Sequence, residues 1–226
     1  WTSPLSRDTN LVGHWKFDEG TGTTAYDSSG YGNGGTLTNG PTWTTLSSGN
    51  KVLSFDGTND YIITTAFGVA NINGTLSTSF WINCAVQAQY LTILGDNYQD
   101  GVVGYIWVFR HSNGNLYYSW NDGALVRYSI TDIFSGYDNQ WILVTAVTDY
   151  INKNIKFYRN GSQLGSTLAL SGTPAYPFTS RAKYIGSYNT GNNLFIGFLD
   201  DIRVYNRGLS AQEISQIYNQ TKGKYQ

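Results

Sequence analysis

One stretch near the end of the chain constrains the fold more than any other. Residues 197–205 alternate in character, which predicts a β-strand with Phe198, Ile202 and Val204 on one face. Asp200 has the parity of that apolar face. A carboxylate there is costly unless hydrogen bonds or a cation meet its charge. The pattern therefore predicts a closing strand that carries one buried acid.

A helix follows this strand directly. Gly208 turns the chain, and residues 210–213 have the Ser-x-x-Glu spacing of a capping box. The apolar spacing beyond the box predicts a helix to about Tyr218.

The rest of the chain shows further strand patterns separated by Gly-rich turns. The clearest hairpin joins residues 105–110 to 116–120 through Asn113 and Gly114, a pair typical of type I′ turns. Strand signals at this spacing predict an all-β, two-sheet antiparallel sandwich with the short C-terminal helix packed outside. The other predicted strands are 11–17, 52–55, 61–64, 76–84, 141–148, 154–159, 162–170, 183–187 and 194–205.

The closing stretch resembles the end of bacterial laminin-G-like domains, which belong to the concanavalin A-like lectin/glucanase superfamily. The shared pattern at 197–214 is Gly-x-Leu-Asp-Asp-Ile-Arg-Val-Tyr-Asn-Arg-x-Leu-Ser-x-x-Glu-Ile. Residues 11–20, 27–34 and 53–61 match the same family. The resemblance spans 11 to about 218 and implies a concanavalin A-like jelly roll.

Length and composition narrow the function classes. A chain of 226 residues suits one sandwich domain, here 11–226, with residues 1–10 as a linker or leading arm. Its 13% charged residues, net charge of −1 and lack of a basic run argue against a nucleic-acid partner. No apolar stretch has the length of a membrane span. The composition is typical of secreted or cell-surface β-proteins.

Two sequence details bear on processing and redox chemistry. The chain begins at Trp1 and contains no methionine, which suggests a mature product or an excised domain. Cys84 is the single cysteine, so an internal disulfide is excluded, and its parity predicts a buried, inert thiol.

The sequence predicts no catalytic residues. Retaining glycoside hydrolases use two carboxyl groups about 5–5.5 Å apart, and the hydrolase relatives place glutamates on one strand. This chain has only Glu19 and Glu213, neither on a middle strand. His14 and His111 have no evident triad partners. A pair of aspartates could substitute for the glutamates in principle, but the loop-like contexts argue against Asp96, Asp100, Asp122 and Asp132.

The resemblance also implies a structural calcium ion at the rim of the sandwich. Carried over by motif, its ligands are Asp18 or Glu19, Gly57 and Asp200. Carboxylate and carbonyl oxygens suit this hard cation. The alternative is that Asp200 caps backbone N–H groups without an ion. A second candidate pair, Asp27 and Asn33, is better interpreted as a turn stabiliser.

Aromatic side chains supply the remaining functional signal. If Ile106 and Val108 face the core, the neighbouring aromatic residues face outward, where grouped aromatics indicate recognition. The reverse parity would make them core residues. The predicted ligand-binding residues are Trp81, Tyr105, Trp107 and Tyr117.

The leading hypothesis is a non-catalytic extracellular lectin-like module that binds a glycan or another surface ligand. The alternative is a structural or adhesive surface domain of a filament, pilus-like subunit or phage appendage, with other subunits as partners and no sugar ligand. A glycoside hydrolase or lyase is disfavoured because its acids are absent.

Overall fold

The computed structural model describes residues 8–67, 74–85, 89–95, 106–121, 125–170 and 181–226. In chain order its elements are β1 (Leu11–Trp15), β2 (Thr24–Ala25), β3 (Gly35–Thr38), β4 (Thr42–Thr45), β5 (Lys51–Asp56), β6 (Tyr61–Phe67), β7 (Thr75–Asn83), β8 (Leu91–Gly95), β9 (Ile106–Arg110), β10 (Leu116–Asn121), β11 (Leu125–Ile130), β12 (Ile142–Asp149), β13 (Asn154–Arg159), β14 (Ser162–Ala169), β15 (Arg181–Ile185), β16 (Ile196–Tyr205), α1 (Ala211–Thr221) and a 3₁₀ turn (Lys222–Lys224).

The strands form two antiparallel eight-stranded sheets. The first has the order β14-β13-β12-β7-β16-β5-β4, and β1 also pairs with β16. The second has the order β11-β10-β9-β8-β15-β6-β3-β2. β16 pairs with β7 on one side and with β5 and then β1 on the other. The closing strand thus holds the two ends of the chain together, and the predicted antiparallel sandwich is confirmed.

The main core lies between the two sheets. On β7, Phe80 and Ile82 point into this core together with Leu76, as the alternation predicts. Cys84 is also buried there as a free thiol, and burial raises its pKa. The predicted inert cysteine is therefore consistent with its surroundings.

A second apolar layer covers the outer face of the first sheet. Every residue of β12 except Asp149 is buried, because its inner side chains meet the main core and its outer ones lie beneath α1. The helix contributes Ile214 and Ile217 to this layer. Its N-cap is Ser210, whose hydroxyl accepts from the Glu213 N–H while the Glu213 carboxylate accepts from the Ser210 N–H. The predicted capping box and outer helix are confirmed.

The Asn-Gly pairs at residues 113–114 and 160–161 form different turns. Asn160 and Gly161 both have positive φ (52° and 84°), the signature of a type I′ turn between β13 and β14. In the β9–β10 hairpin only Gly114 is left-handed (φ 84°), and the His111 N–H donates to the Asn115 carbonyl. The predicted hairpin is confirmed, but its type I′ turn is wrong because the longer loop needs one left-handed residue.

Candidate ligand-binding surfaces

Aromatic side chains form a row on the outer face of the β9–β10 hairpin. Val108 and Tyr118 face the main core, so their neighbours along each strand lie on the opposite face. Ring centroids of Trp107 and Phe109 are 3.8 Å apart, and those of Phe109 and Tyr117 are 5.2 Å apart. We define the hairpin aromatic cluster as Trp107, Phe109, Tyr117, Tyr90, His111 and Tyr188.

The solvent-facing edge of this cluster consists of Tyr90, His111 and Tyr117. Tyr90, just before β8, is 39% exposed and lies 4.5 Å from the His111 ring. The His111 ring lies 5.0 Å from Tyr117. Phe109 lies beneath them, with its centroid 5.6 Å from that of Tyr90. An outer layer of partly exposed rings therefore rests on a buried aromatic floor.

The expected exposure of Trp107 is wrong, although the expected face of the sheet is right. Trp107 is only 6% exposed because Tyr188, in the segment after β15, lies 4.5 Å from its ring. Gly95 permits this packing, since a Cβ there would meet the Ser187 carbonyl oxygen at 2.9 Å. The indole N–H donates to the Thr92 hydroxyl at 3.0 Å. Tyr105 lies outside the described residues.

Three members of the cluster escaped sequence reasoning. Tyr90, His111 and Tyr188 come from a loop, a turn and a second loop, so no strand periodicity marks them. In the sequence, His111 is a candidate only for a catalytic role. The Asn-Gly turn that follows it was the one available signal that His111 lies at a hairpin tip.

Trp81 also faces outward from its sheet but is not exposed. Its indole lies beneath α1 and the following tail, at 2% exposure. The ring stacks on Tyr218 with a centroid distance of 5.8 Å and lies 4.1 Å from Tyr225. Its N–H donates to the Thr221 hydroxyl at 2.9 Å. The prediction of an open Trp81 platform is therefore wrong, because the C-terminal segment covers it.

A β-bulge corrects the predicted face of Asp200. Between the pairs Asp200–Trp81 and Arg203–Ser79, β16 contains one residue more than β7. Asp201 adopts φ 46° at this point, and Leu199 rather than Asp200 faces the main core. The extra residue shifts the parity, so Asp200 points to the helix side of the sheet.

The C-terminal tail supplies the charge partners of Asp200. Its carboxylate lies 2.6 Å from the Lys224 ammonium and accepts from the Tyr225 hydroxyl. Asp200 is completely buried, and its second oxygen has no hydrogen-bond partner among the described residues. Burial raises the pKa of this carboxyl to about 7, and Lys224 offsets the shift only in part.

The three predicted calcium ligands do not share a site. The register places Asp56 opposite Ile196, and Asp200 lies four residues further along β16, about 13 Å away at about 3.3 Å per residue. Gly57 is therefore remote from Asp200, and Asp18 is exposed. Within the described ranges, no three His, Cys, Asp or Glu side chains are grouped to hold a metal ion. The geometry does not support calcium at these positions.

Asp27 stabilises a turn, as the second interpretation of that residue predicts. Its carboxylate accepts from the backbone N–H groups of His14, Ser29 and Asn33 at 2.8–2.9 Å. The Asn33 amide donates to the Val12 carbonyl at 2.7 Å. These bonds hold the loop after β2 against β1.

A buried network of three ionisable side chains lies next to the bulge. Asp201 Oδ1 lies 2.7 Å from His14 Nε2, and the Arg203 guanidinium donates twice to Asp201 at 2.9 Å. Burial opposes ionisation of Asp201, but these partners lower its pKa to about 2. These three ionisable side chains line a cleft of about 390 Å³ beside Lys16 and Lys224. They tie β1 to β16 at the rim.

A family model described as the concanavalin A-like lectin/glucanases superfamily, a laminin-G type, matches residues 56–215. The chain belongs to this superfamily. No curated protein sequence matches it. The two antiparallel sheets have the fold of this superfamily.

Solved structures similar to this superfamily member include three botulinum neurotoxin domains. The receptor binding domain of the C/D mosaic serotype is 16% identical, with a TM-score of 0.72 over 93% of this chain and 51% of that one. The serotype D ligand binding domain in complex with N-acetylneuraminic acid is 16% identical (TM-score 0.74, 95% and 52%). The serotype DC binding domain in complex with rat synaptotagmin II is 18% identical (0.71, 93% and 52%). The chain spans about half their length.

The two glutamates of this superfamily member have structural partners. Glu19 accepts from the Tyr26 N–H at 2.6 Å, and Glu213 belongs to the capping box and pairs with Arg207 at 2.7 Å. Hydrogen bonds to Arg207 lower the pKa of Glu213 to about 2. The Glu213 carboxylate shares Arg207 with Asp8, whose carboxylate lies 3.0 Å from the same guanidinium nitrogen. No helix among the described residues has the length and apolarity needed to cross a membrane.

Proposed function

We propose that the chain is a non-catalytic, extracellular lectin-like module that binds a glycan through the hairpin aromatic cluster. The observation that carries this proposal is the partly exposed edge of Tyr90, His111 and Tyr117 on a buried floor of stacked rings. Large aromatic surfaces left partly open on a folded domain favour recognition. Pyranose rings present C–H faces that pack against such rings.

The cluster offers this surface at low entropic cost. Trp107 and Phe109 are buried and fix the orientation of the outer rings before a ligand arrives. Polar groups of the hairpin tip lie beside them. Ser112 Oγ is 3.3 Å from His111 Nδ1, and the Asn113 side chain accepts from the Asn115 N–H. The tip thus combines aromatic faces with hydroxyl and amide groups, as sugar recognition requires.

The comparisons support a binding role only at the level of the superfamily and fold. The neurotoxin domains bind their named ligands as proteins about twice as long as this chain. Their ligands are therefore a reason to test sialylated glycans, and they do not identify the ligand of this chain. The low charge content of the chain supports an extracellular location.

The proposal is tested by isothermal titration with sialyllactose, lactose and alginate oligomers. We expect Tyr117→Ala and Tyr90→Ala each to raise the Kd of a bound glycan about tenfold, equal to about 1.4 kcal/mol. The matched control is Tyr26→Ala, which removes a tyrosine that is 66% exposed outside the cluster. Unchanged affinity in both cluster variants would contradict the proposed site. Absence of binding to any glycan would favour the structural or adhesive alternative.

A further inference from the structure

A cleft lies between the C-terminal tail and the outer face of the first sheet, and we propose that it is a second binding site, for a neutral oligosaccharide. We call it the tail cleft. Its volume is about 320 Å³, within the range of small-ligand sites. The residues that carry the argument are Trp81, Trp141, Tyr218, Asn83, Asn139 and Gln140.

Aromatic rings form the floor and wall of the tail cleft. Tyr225 lies 4.1 Å from Trp81 and 4.7 Å from Trp141, and Trp81 stacks on Tyr218. The Tyr225 hydroxyl is held by Asp200, so these rings are fixed relative to the sheet. Trp141 and Tyr218 are only half-buried and leave ring surface open to the cleft.

Amide groups form the other side of the cleft. The Asn83 amide donates to the Asn139 carbonyl at 3.3 Å, and the Gln140 amide donates to the Gly136 carbonyl at 3.1 Å. Their side-chain oxygens, and the Trp141 indole N–H, have no partner among the described residues. Fixed amides with free acceptors beside aromatic faces match a ring that carries several hydroxyl groups.

The charge of the cleft selects a neutral ligand. Among the described residues that line it, Lys222 is the one side chain with a formal charge, and it donates to the Asn219 side chain at 2.9 Å. A cationic ligand would find no carboxylate side chain there. The ammonium group of half-buried Lys222 also lies 5.2 Å from the Tyr218 ring, so it already has two partners, and a single ion pair with an anionic ligand would add little.

The tail cleft and the hairpin aromatic cluster are separate sites. They lie on the outer faces of opposite sheets and share no residue. The tail cleft therefore does not rest on the function proposed for the hairpin. A module with both sites would bind a branched or repetitive glycan at two points.

The test uses the full chain and four neutral probes: cellotetraose, laminaritetraose, mannotetraose and galactotetraose. Binding is followed by tryptophan fluorescence, since Trp81 and Trp141 line the cleft, and by calorimetry. We expect a saturable response to at least one probe. Asn83→Ala and Gln140→Ala should each raise its Kd about tenfold, as expected for one lost hydrogen bond. Trp141→Phe should weaken it less.

Two controls separate this inference from the proposed function. Asn50→Ala removes an exposed amide outside the cleft, and Tyr90→Ala/Tyr117→Ala removes the hairpin surface. Both should leave the Kd of the neutral probe unchanged. The inference is overturned if no neutral probe binds, or if Asn83→Ala and Gln140→Ala bind as the parent does. It is also overturned if only the hairpin double variant loses binding, a result that would support the hairpin site.

Discussion

Asp200 and Asp201 are adjacent carboxylates in opposite electrostatic settings. Both are buried, but Asp200 faces the tail with a pKa of about 7, and Asp201 faces His14 and Arg203 with a pKa of about 2. The bulge between β16 and β7 causes the difference, because it directs the two side chains to different partners. Ionisation of Asp200 therefore lowers the free energy of unfolding as the pH rises, whereas ionisation of Asp201 raises it.

The first prediction concerns the pH dependence of stability. Between about pH 4 and 7, folded Asp200 keeps a proton that the unfolded chain has lost, so its contribution to the free energy of unfolding falls as the pH rises. A shift of about three pKa units limits this loss to about 4 kcal/mol. Asp200→Asn should remove the loss, as measured by urea unfolding at each pH. An identical pH profile for parent and variant would contradict the buried acid.

Asp201→Asn should act with the opposite sign. Asp201 stabilises the fold above its ordinary pKa near 4, and that stability is lost as the pH falls towards 2. We expect the variant to be less stable at pH 7 and to show a flatter acid limb than the parent. A variant as stable as the parent at neutral pH would show that the His14–Asp201–Arg203 network contributes nothing.

A further prediction concerns the turn held by Asp27. Asp27→Ala leaves three backbone N–H groups without their acceptor, and we expect a loss of about 2–4 kcal/mol in urea unfolding. Asp56→Ala is the matched control, since its carboxylate accepts from Thr58 and Asn59 in an exposed turn. It should cost less than about 1 kcal/mol. Equal losses would refute the special role of Asp27.

At the scale of elements, α1 packs tightly against the outer face of the first sheet and contributes to its second apolar layer. Ile214→Ala should cost about 2–5 kcal/mol because the Ile214 side chain is fully buried between the helix and the sheet. Gln216→Ala, on the exposed face of the same helix, should cost little. Thermal unfolding of both variants tests this, and similar melting temperatures would mean that the helix is only loosely docked.

Strand faces were predictable where the alternation is regular and failed where a bulge interrupts it. The faces of Phe80, Ile82 and Trp81 on β7 follow from period-two spacing, and so does the outward face of Trp107. The face of Asp200 does not, because the extra residue at Asp201 is a property of strand pairing. A sequence pattern read along one strand contains no information about its partner.

At the scale of the whole molecule, segments distant in sequence decide which surfaces are open. The tail after α1 covers Trp81, and the loop after β15 covers Trp107. The resemblance to laminin-G-like domains was sufficient for the sandwich and the outer helix. The resemblance did not indicate that the tail covers Trp81 and that the loop covers Trp107. Both arrangements depend on contacts between segments more than 80 residues apart.

Calcium should have no effect on the molecule at the predicted rim position. An ion bound there at about 100 times its Kd would add about 2.7 kcal/mol to the free energy of unfolding. Because Lys224 and the Tyr225 hydroxyl already occupy the space beside the buried Asp200 carboxyl group, we expect the same melting temperature in calcium and in chelator. A rise with calcium that Asp200→Asn abolishes would restore the metal site.

The central claim is that the hairpin aromatic cluster binds glycans, and a glycan array tests it most directly. The parent protein and Tyr90→Ala/Tyr117→Ala would be applied side by side at equal concentration, with Tyr26→Ala as the control. The account predicts a defined set of glycans that the parent and the control bind and on which the signal of the double variant falls at least tenfold. A neutral glycan held in the tail cleft should keep its signal in all three proteins. An array on which all three proteins give the same pattern, or on which the parent binds nothing, would contradict it.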